Sequence, residues 1–158
     1  MARSKKTDDD PDVRVVCSNR RARFLYSVEE SFEAGLVLAG TEVKSLRDGK
    51  AQLKDSYCVV EGGEVFLIGC HISPYNQASA FNHSPERKRK LLLNKREIHR
   101  LSVRVHERGQ TLVPLRIYFR GAHAKIEIAL VRGKAQRDRR DDIRRRDLDR
   151  EQAREERS

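Results

Sequence analysis

The sequence has no tryptophan, one methionine, three cysteines, five Phe and four Tyr among 158 residues. So few aromatics argue against a groove lined with stacking rings, the device of general single-strand binders. Cys17, Cys58 and Cys70 are odd in number and widely spaced. That fits neither a disulfide framework nor a zinc site, and it suits a reducing cytoplasm. No apolar run approaches the ~20 residues of a membrane-spanning helix. The opening MARSKKTDDDPD has no apolar stretch, so no secretory leader is expected. There is no G-x-S-x-G, P-loop or G-x-G-x-x-G. His71, His83, His99, His106 and His123 include no HxH or HxxxH pair. Partly exposed histidines are therefore expected, with no metal, cofactor or catalytic group.

What is abundant is charge, with 34 Lys and Arg against 24 Asp and Glu, a net +10. A balance this basic points to a polyanion, most often nucleic acid. Its distribution says more. Residues 1–18 hold four bases and four acids, few apolar side chains, and read as a disordered leader. Residues 134–158 hold ten bases and eight acids around four apolar residues, too few to offset chain entropy. Residues 19–133 keep 20 bases against 12 acids and nearly all the hydrophobic residues. One basic domain between two polar tails follows.

Within that domain, Phe24 to Phe32 and residues 35–39 read as strand. Thr41 reads as the N-cap of a short helix with Val43 and Leu46 on its apolar side and Gly49 beyond its end. Two apolar runs, 57–60 and 65–68, flank Gly62 and Gly63, a hairpin signal. Asn94 and Glu97 have capping-box spacing, and Ile98, Leu101 and Val105 form one helical stripe. Leu115, Ile117 and Phe119 alternate with Arg116, Tyr118 and Arg120, and Pro114 marks an edge or a bulge. Residues 125–130 alternate likewise. The expected class is mainly β: an oligonucleotide-binding-like β-barrel with two or three short flanking α-helices and a disordered C-terminal tail.

Candidate RNA contacts fall in three places. Asn19, Arg20, Arg21, Arg23 and Phe24 combine an amide, three bases and a ring suited to phosphate contact and base stacking. Phe24 equally serves as the opening of a core strand. Arg87, Lys88, Arg89 and Lys90 form a run that attracts phosphate, or a solvated loop beside Leu91, Leu92 and Leu93. Arg116, Tyr118, Arg120 and Lys125 share one outward face, whether as a basic surface or as ordinary strand alternation. The tail favours helix by composition and has favourable Asp141–Arg145 and Asp142–Arg146 pairs, but it lacks an apolar stripe. Two readings stand for it: a solubilising tail, or a segment that folds on a partner.

In order along the chain, NRRARF, FEAGLVLAGTEVKSLRDGKA, SPYN, PERKRKLLLNKREI, TLVPLRIYF and RGKAQRDRR resemble the SsrA-binding, or small protein B, family over roughly residues 19–142. The resemblance implies a non-enzymatic protein that binds the tRNA-like domain of transfer-messenger RNA. It implies delivery of that RNA to stalled ribosomes for trans-translation. The tail is implied to fold in the empty messenger channel of the small subunit, at the decoding centre, and to stand in for codon–anticodon pairing. Asn19, Glu33, Leu92 and Lys125 match family positions that bind the RNA. Gly133, Lys134, Arg137, Asp138, Arg139 and Arg140 lie in the stretch that supports tagging. Three departures stand out. Arg139 replaces a family Lys, Arg137 a frequent His, and Phe24 another frequent His. Arg139 keeps the charge but changes the donor geometry, and a guanidinium at Arg137 can still stack on a base.

Overall fold

The computed structural model describes residues 11–75, 82–133 and 136–155, with backbone alone for 136–143 and 154–155. Lys134 lies outside the described residues. The order is β1 (Val13–Ser18), α1 (Arg20–Leu25), β2 (Tyr26–Leu36), α2 (Gly40–Arg47), β3 (Ala51–Gln52), β4 (Tyr57–Glu61), β5 (Glu64–Ile68), β6 (His71–Ile72), β7 (Arg89–Leu92), α3 (Lys95–His106), β8 (Thr111–Arg120), β9 (His123–Gly133) and α4 (Gln136–Glu155).

The locally signalled elements form where the sequence places them. Gly62 and Gly63 turn between β4 and β5 with φ of 57° and 75°, the conformation a two-residue hairpin demands. Asn94 caps α3 by accepting from the Glu97 N–H at 2.9 Å, and Leu101 on its stripe is fully buried. α2 starts earlier than expected. Its N-cap is Ala39, and Glu42 reaches back to the Ala39 N–H at 2.8 Å. The Thr41 hydroxyl is instead within 2.8 Å of His83 Nδ1.

All the strand pairings are antiparallel. Neighbours run β8–β9–β2–β7–β5–β4, and the Cys58–Leu112 pair returns β4 to β8, closing a barrel. Inside pack Phe32, Ala34, Val65, Leu67, Leu91, Ile117, Ile126, Ile128 and Leu130, with Leu46 of α2 and Leu101 of α3. The three cysteines belong to or abut this core. Burial pushes the Cys17 thiol up to about 11 and that of Cys70 up to about 12, so both stay protonated and inert at neutral pH.

Two differences from the sequence reading reshape the outer surface. β1 pairs with the second half of β8, so residues 13–18 belong to the sheet and the ordered chain begins before residue 19. Val13 and Val15 alternate there with polar residues, too short a pattern to outweigh the acidic run before them. β8 is bulged between Pro114 and Arg116. The extra residue resets the alternation. Leu115 therefore leaves the Ile117–Phe119 face and joins Val113, Ala129 and Val131 in a second small core outside the barrel, capped by Ala22 of α1. Phe24 sits in α1, not at the head of a strand. The backbone of residues 136–155 is helical, the conformation that the composition of the tail favours. Good intrinsic helix formers and the absence of Gly and Pro account for it.

Candidate nucleic-acid interface

Asn19 builds the first part of the site. Its side-chain oxygen accepts from the Ala22 N–H at 3.2 Å and its Nδ2 donates to the Pro114 carbonyl at 3.0 Å. Its own backbone N–H donates to the Leu115 carbonyl at 2.7 Å. Asn19 is thus the N-cap of α1 and its tether to β8, and at 9% exposure it is buried. It positions Arg20, Arg21 and Arg23, which are exposed. An Asn before a helical run is an N-cap signal in its own right. Asn19→Ala is expected to cost about 1–2 kcal/mol of stability, the usual loss for a cap. Urea unfolding monitored by circular dichroism checks it.

The second part is a row across the barrel. β-sheet register sets Leu92 of β7 beside Gly35 of β2, Gly35 beside Lys125 of β9, Lys125 beside Tyr118 of β8, and Tyr118 beside Val15 of β1. Five residues from distant parts of the chain therefore share one outer row, roughly 19 Å long at the usual strand spacing. Leu92 is 54% exposed, unlike buried Leu91. Gly35 makes room for it, because a Cβ there would come within 3.2 Å of the Leu92 Cβ.

Glu33 lies one row away, opposite Glu127. Its carboxylate accepts from the Tyr118 hydroxyl and, at 2.9 Å, from Arg120. Burial alone would push its carboxyl up. The Tyr118 and Arg120 hydrogen bonds and the charges of Arg120 and Lys125 outweigh this and hold it below the usual carboxylate range. Burial and the same carboxylate push the Tyr118 phenol up, so it remains a donor. The Glu33 side chain keeps 37% exposure. Next to it Arg116 pairs with Glu127 at 3.1 Å. The expected outward face is real but partly closed: Tyr118 is 1% and Arg116 6% exposed. Gly35 belongs to the site although sequence reasoning does not single it out. The alternation at 116, 118 and 120 points to Tyr118 and Arg120 as part of a basic outward face, but not as the partners of Glu33.

The basic run at 87–90 is arranged differently. Arg87 and Arg89 both bond the Glu42 carboxylate, Arg89 through Nε at 2.5 Å. Arg89 and Glu42 are fully buried. Lys88 pairs with Glu61 at 2.5 Å and lies over the Phe66 ring, and Lys90 pairs with Glu64 at 2.8 Å. Each base of the run meets an acid from another element, so the run is a clamp on β7 more than an open phosphate site. Lys88, 45% exposed, keeps the most solvent access of the ion-paired four.

β9 ends at Gly133, which pairs with Tyr26. Arg137, Asp138, Arg139 and Arg140 follow in the first turns of α4. Further along, the Arg146 guanidinium lies 5.5 Å from the Phe24 ring centre, so the tail helix meets α1. Among the described residues no group of three His, Cys, Asp or Glu could hold a metal ion, and no helix is long and apolar enough to cross a membrane.

Comparison with known proteins agrees with this picture. A family model described as SmpB protein matches residues 16–158. An SsrA-binding protein of Symbiobacterium thermophilum is 52% identical over 98% of this chain and 95% of its own length. One from Moorella thermoacetica is 56% identical over 90% of this chain and 92% of its own. A chain solved under the description "tmRNA-SmpB: a journey to the center of the bacterial ribosome" superposes with a TM-score of 0.64 at 49% identity, covering 76% of this chain and 85% of that one. The barrel, the Leu92-to-Val15 row and these matches lead to one assignment: the chain belongs to the SmpB family of SsrA-binding proteins.

Proposed function

We propose that this chain binds the tRNA-like domain of transfer-messenger RNA through the outer face of β2, β8 and β9. It carries that RNA to stalled ribosomes for trans-translation in the cytoplasm, acting as an adaptor and not as an enzyme. The observation that carries the reading is the convergence of Leu92, Gly35, Lys125 and Tyr118 in one row, with Glu33 beside it. Three residues matched to the RNA-binding positions of the family by sequence alone meet there. α1 lies on the same outer face of β8 and β9, so its arginines extend the surface.

The chemistry is coherent. Lys125 and the α1 arginines attract phosphate. Exposed Leu92 offers an apolar contact for an unstacked base or a ribose. Glu33, ionised and fixed by Tyr118 and Arg120, accepts hydrogen bonds from base or sugar donors and holds those two side chains in place. In the second half of the function, the tail from Gly133 onward enters the empty messenger channel of the small subunit and substitutes for codon–anticodon pairing. Arg137, Asp138, Arg139 and Arg140 lie where that helix begins.

Glu33→Ala leaves Tyr118 and Arg120 without their shared acceptor. It is expected to weaken binding of the tRNA-like RNA about tenfold or more, in line with the ~1.5–3 kcal/mol of a hydrogen bond to a charged group. Filter binding at fixed salt reads the change. Unaltered affinity in a folded Glu33→Ala protein would remove this face from the interface.

A further inference from the structure

A cleft of about 420 Å³ opens beside α1, at the end of β8 away from Tyr118, and its walls include Arg21, Leu25, Tyr26, Asp55, Tyr57 and Val113. That volume is in the range of small-ligand sites. We propose that it is a second RNA subsite that captures a single unpaired purine, guanine by preference. It rests on the reading that the chain binds RNA and adds a place and a base to it.

The aromatic rings carry the argument. Among the described residues, Phe24 lies under Arg146, Phe66 under Lys88, Tyr75 under Lys44, Tyr118 under Arg116, and Phe119 under both Arg14 and Arg47. Phe32 is buried in the barrel. Tyr26 and Tyr57 alone have neither a cation over the ring nor a place in the barrel core, and both line this cleft. Tyr57 is 45% exposed. Tyr57 is an open ring and Tyr26 a partly buried one packed against the small outer core; lining one cleft with apolar Leu25, they give a stacking surface for one base, and exposed Arg21 on the same wall suits its phosphate.

Asp55 supplies the selectivity. It is the one described non-glycine residue with positive φ, at 60°. A conformation this costly persists where the surroundings enforce it. They do: Ser56 is buried, its N–H donates to the Leu53 carbonyl at 3.1 Å, and its hydroxyl donates there at 2.5 Å. Gly69 packs so close that a Cβ on it would meet the Asp55 carbonyl oxygen at 3.3 Å. The strained turn places Asp55 on the cleft wall. A carboxylate there accepts hydrogen bonds only, and guanine offers two N–H donors on one edge. The cleft is about 17 Å along β8 from Tyr118 at the usual strand rise, so one folded RNA can reach both places.

The base comes either from the transfer-messenger RNA or from ribosomal RNA, and one experiment separates these. Full-length protein is photocrosslinked to the isolated tRNA-like RNA and, separately, to ribosomes. Crosslinked nucleotides are mapped by mass spectrometry, and affinities are measured for Tyr57→Ala, Tyr57→Phe and Asp55→Asn. A guanine crosslinked to Tyr26 or Tyr57 is expected, and the RNA that carries it names the source. With that RNA, Tyr57→Ala is expected to lose about tenfold in affinity while Tyr57→Phe, which keeps the ring, retains it. Asp55→Asn keeps the turn, because Asn tolerates this backbone, and is expected to abolish the preference for guanine over adenine. Wild-type affinity of Tyr57→Ala for both partners, with no base crosslinked to either tyrosine, would overturn the proposal. If Glu33→Ala still weakens binding in that case, the reading of the β2–β9 face stands and only the cleft falls. If wild-type protein does not bind the tRNA-like RNA above a plain duplex, it is the underlying reading that fails.

Discussion

Truncation after Gly133 is expected to leave RNA binding intact and to reduce tagging on stalled ribosomes to background. The barrel is complete without the removed segment. β9 ends at Gly133, and among the described residues no α4 side chain belongs to either core. α4 meets the domain at α1, where Arg146 covers Phe24. An exposed pair of that kind contributes about 0.5–1 kcal/mol, and its loss uncovers a ring next to the α1 arginines. Charge points the same way. The tail holds ten bases and eight acids, so its removal takes away little of the attraction for RNA, whereas residues 19–133 keep 20 bases against 12 acids. A reconstituted tagging assay run beside a binding titration separates the two functions. Loss of RNA affinity on truncation would show that they are one.

Glu42→Ala is expected to be the most destabilising single change discussed. The carboxylate is fully buried with Arg89, accepts from Arg87, and holds the Ala39 N–H at the start of α2. Removing it leaves the Arg89 guanidinium buried, with only the carbonyls of Cys70, Arg87 and Pro85 as acceptors among the described residues. Breaking a buried pair from one side costs about 3–5 kcal/mol, a large share of the ~5–15 kcal/mol that holds a domain together. Replacing both partners with apolar residues of similar volume is expected to cost much less, since no stranded charge remains. The pH dependence follows from the ionisation of Glu42. Burial pushes its carboxyl up, but Arg87, the Ala39 N–H and Arg89 together hold it below the usual range. A depressed carboxyl stabilises the fold fully above its unfolded value of about 4.3, and that contribution is lost as pH falls through the lower folded value. Urea titrations are therefore expected to show a wide gap between wild type and Glu42→Ala at neutral pH and a narrowing gap in acid. The clamp also matters for RNA, because it anchors the chain entering β7, which presents Leu92 beside Gly35.

These two sites show what could be read in advance. The Gly62–Gly63 hairpin and the Asn94–Glu97 box were legible because their signals lie within four residues of the structure they specify. The barrel class was legible from short alternating strands. The partners of Arg87 and Arg89 were not, since Glu42 lies 45 and 47 residues away and only the closed sheet brings it near. Nor was the fate of Leu115, which turns on one bulge at Pro114. At the site, Glu33 and Leu92 were found by resemblance and Lys125 by strand alternation as well, while the row that joins Leu92 to Lys125, and the place of Glu33 beside it, required the register of β7, β2 and β9. Tyr118 was legible as a strand residue but not as the donor that fixes Glu33. Asn19 was placed among the RNA contacts, and the structure turns it inward as the peg under α1.

The most direct test of the central claim is a salt titration of full-length protein binding the tRNA-like RNA, compared with a duplex of equal length. The account predicts a clear preference for the tRNA-like fold at every salt concentration. It also predicts affinity that falls as salt rises, with a log–log slope about one unit shallower for Lys125→Ala, as expected when one phosphate contact is removed. Equal affinity for the duplex, with a slope that Lys125→Ala does not change, would contradict it.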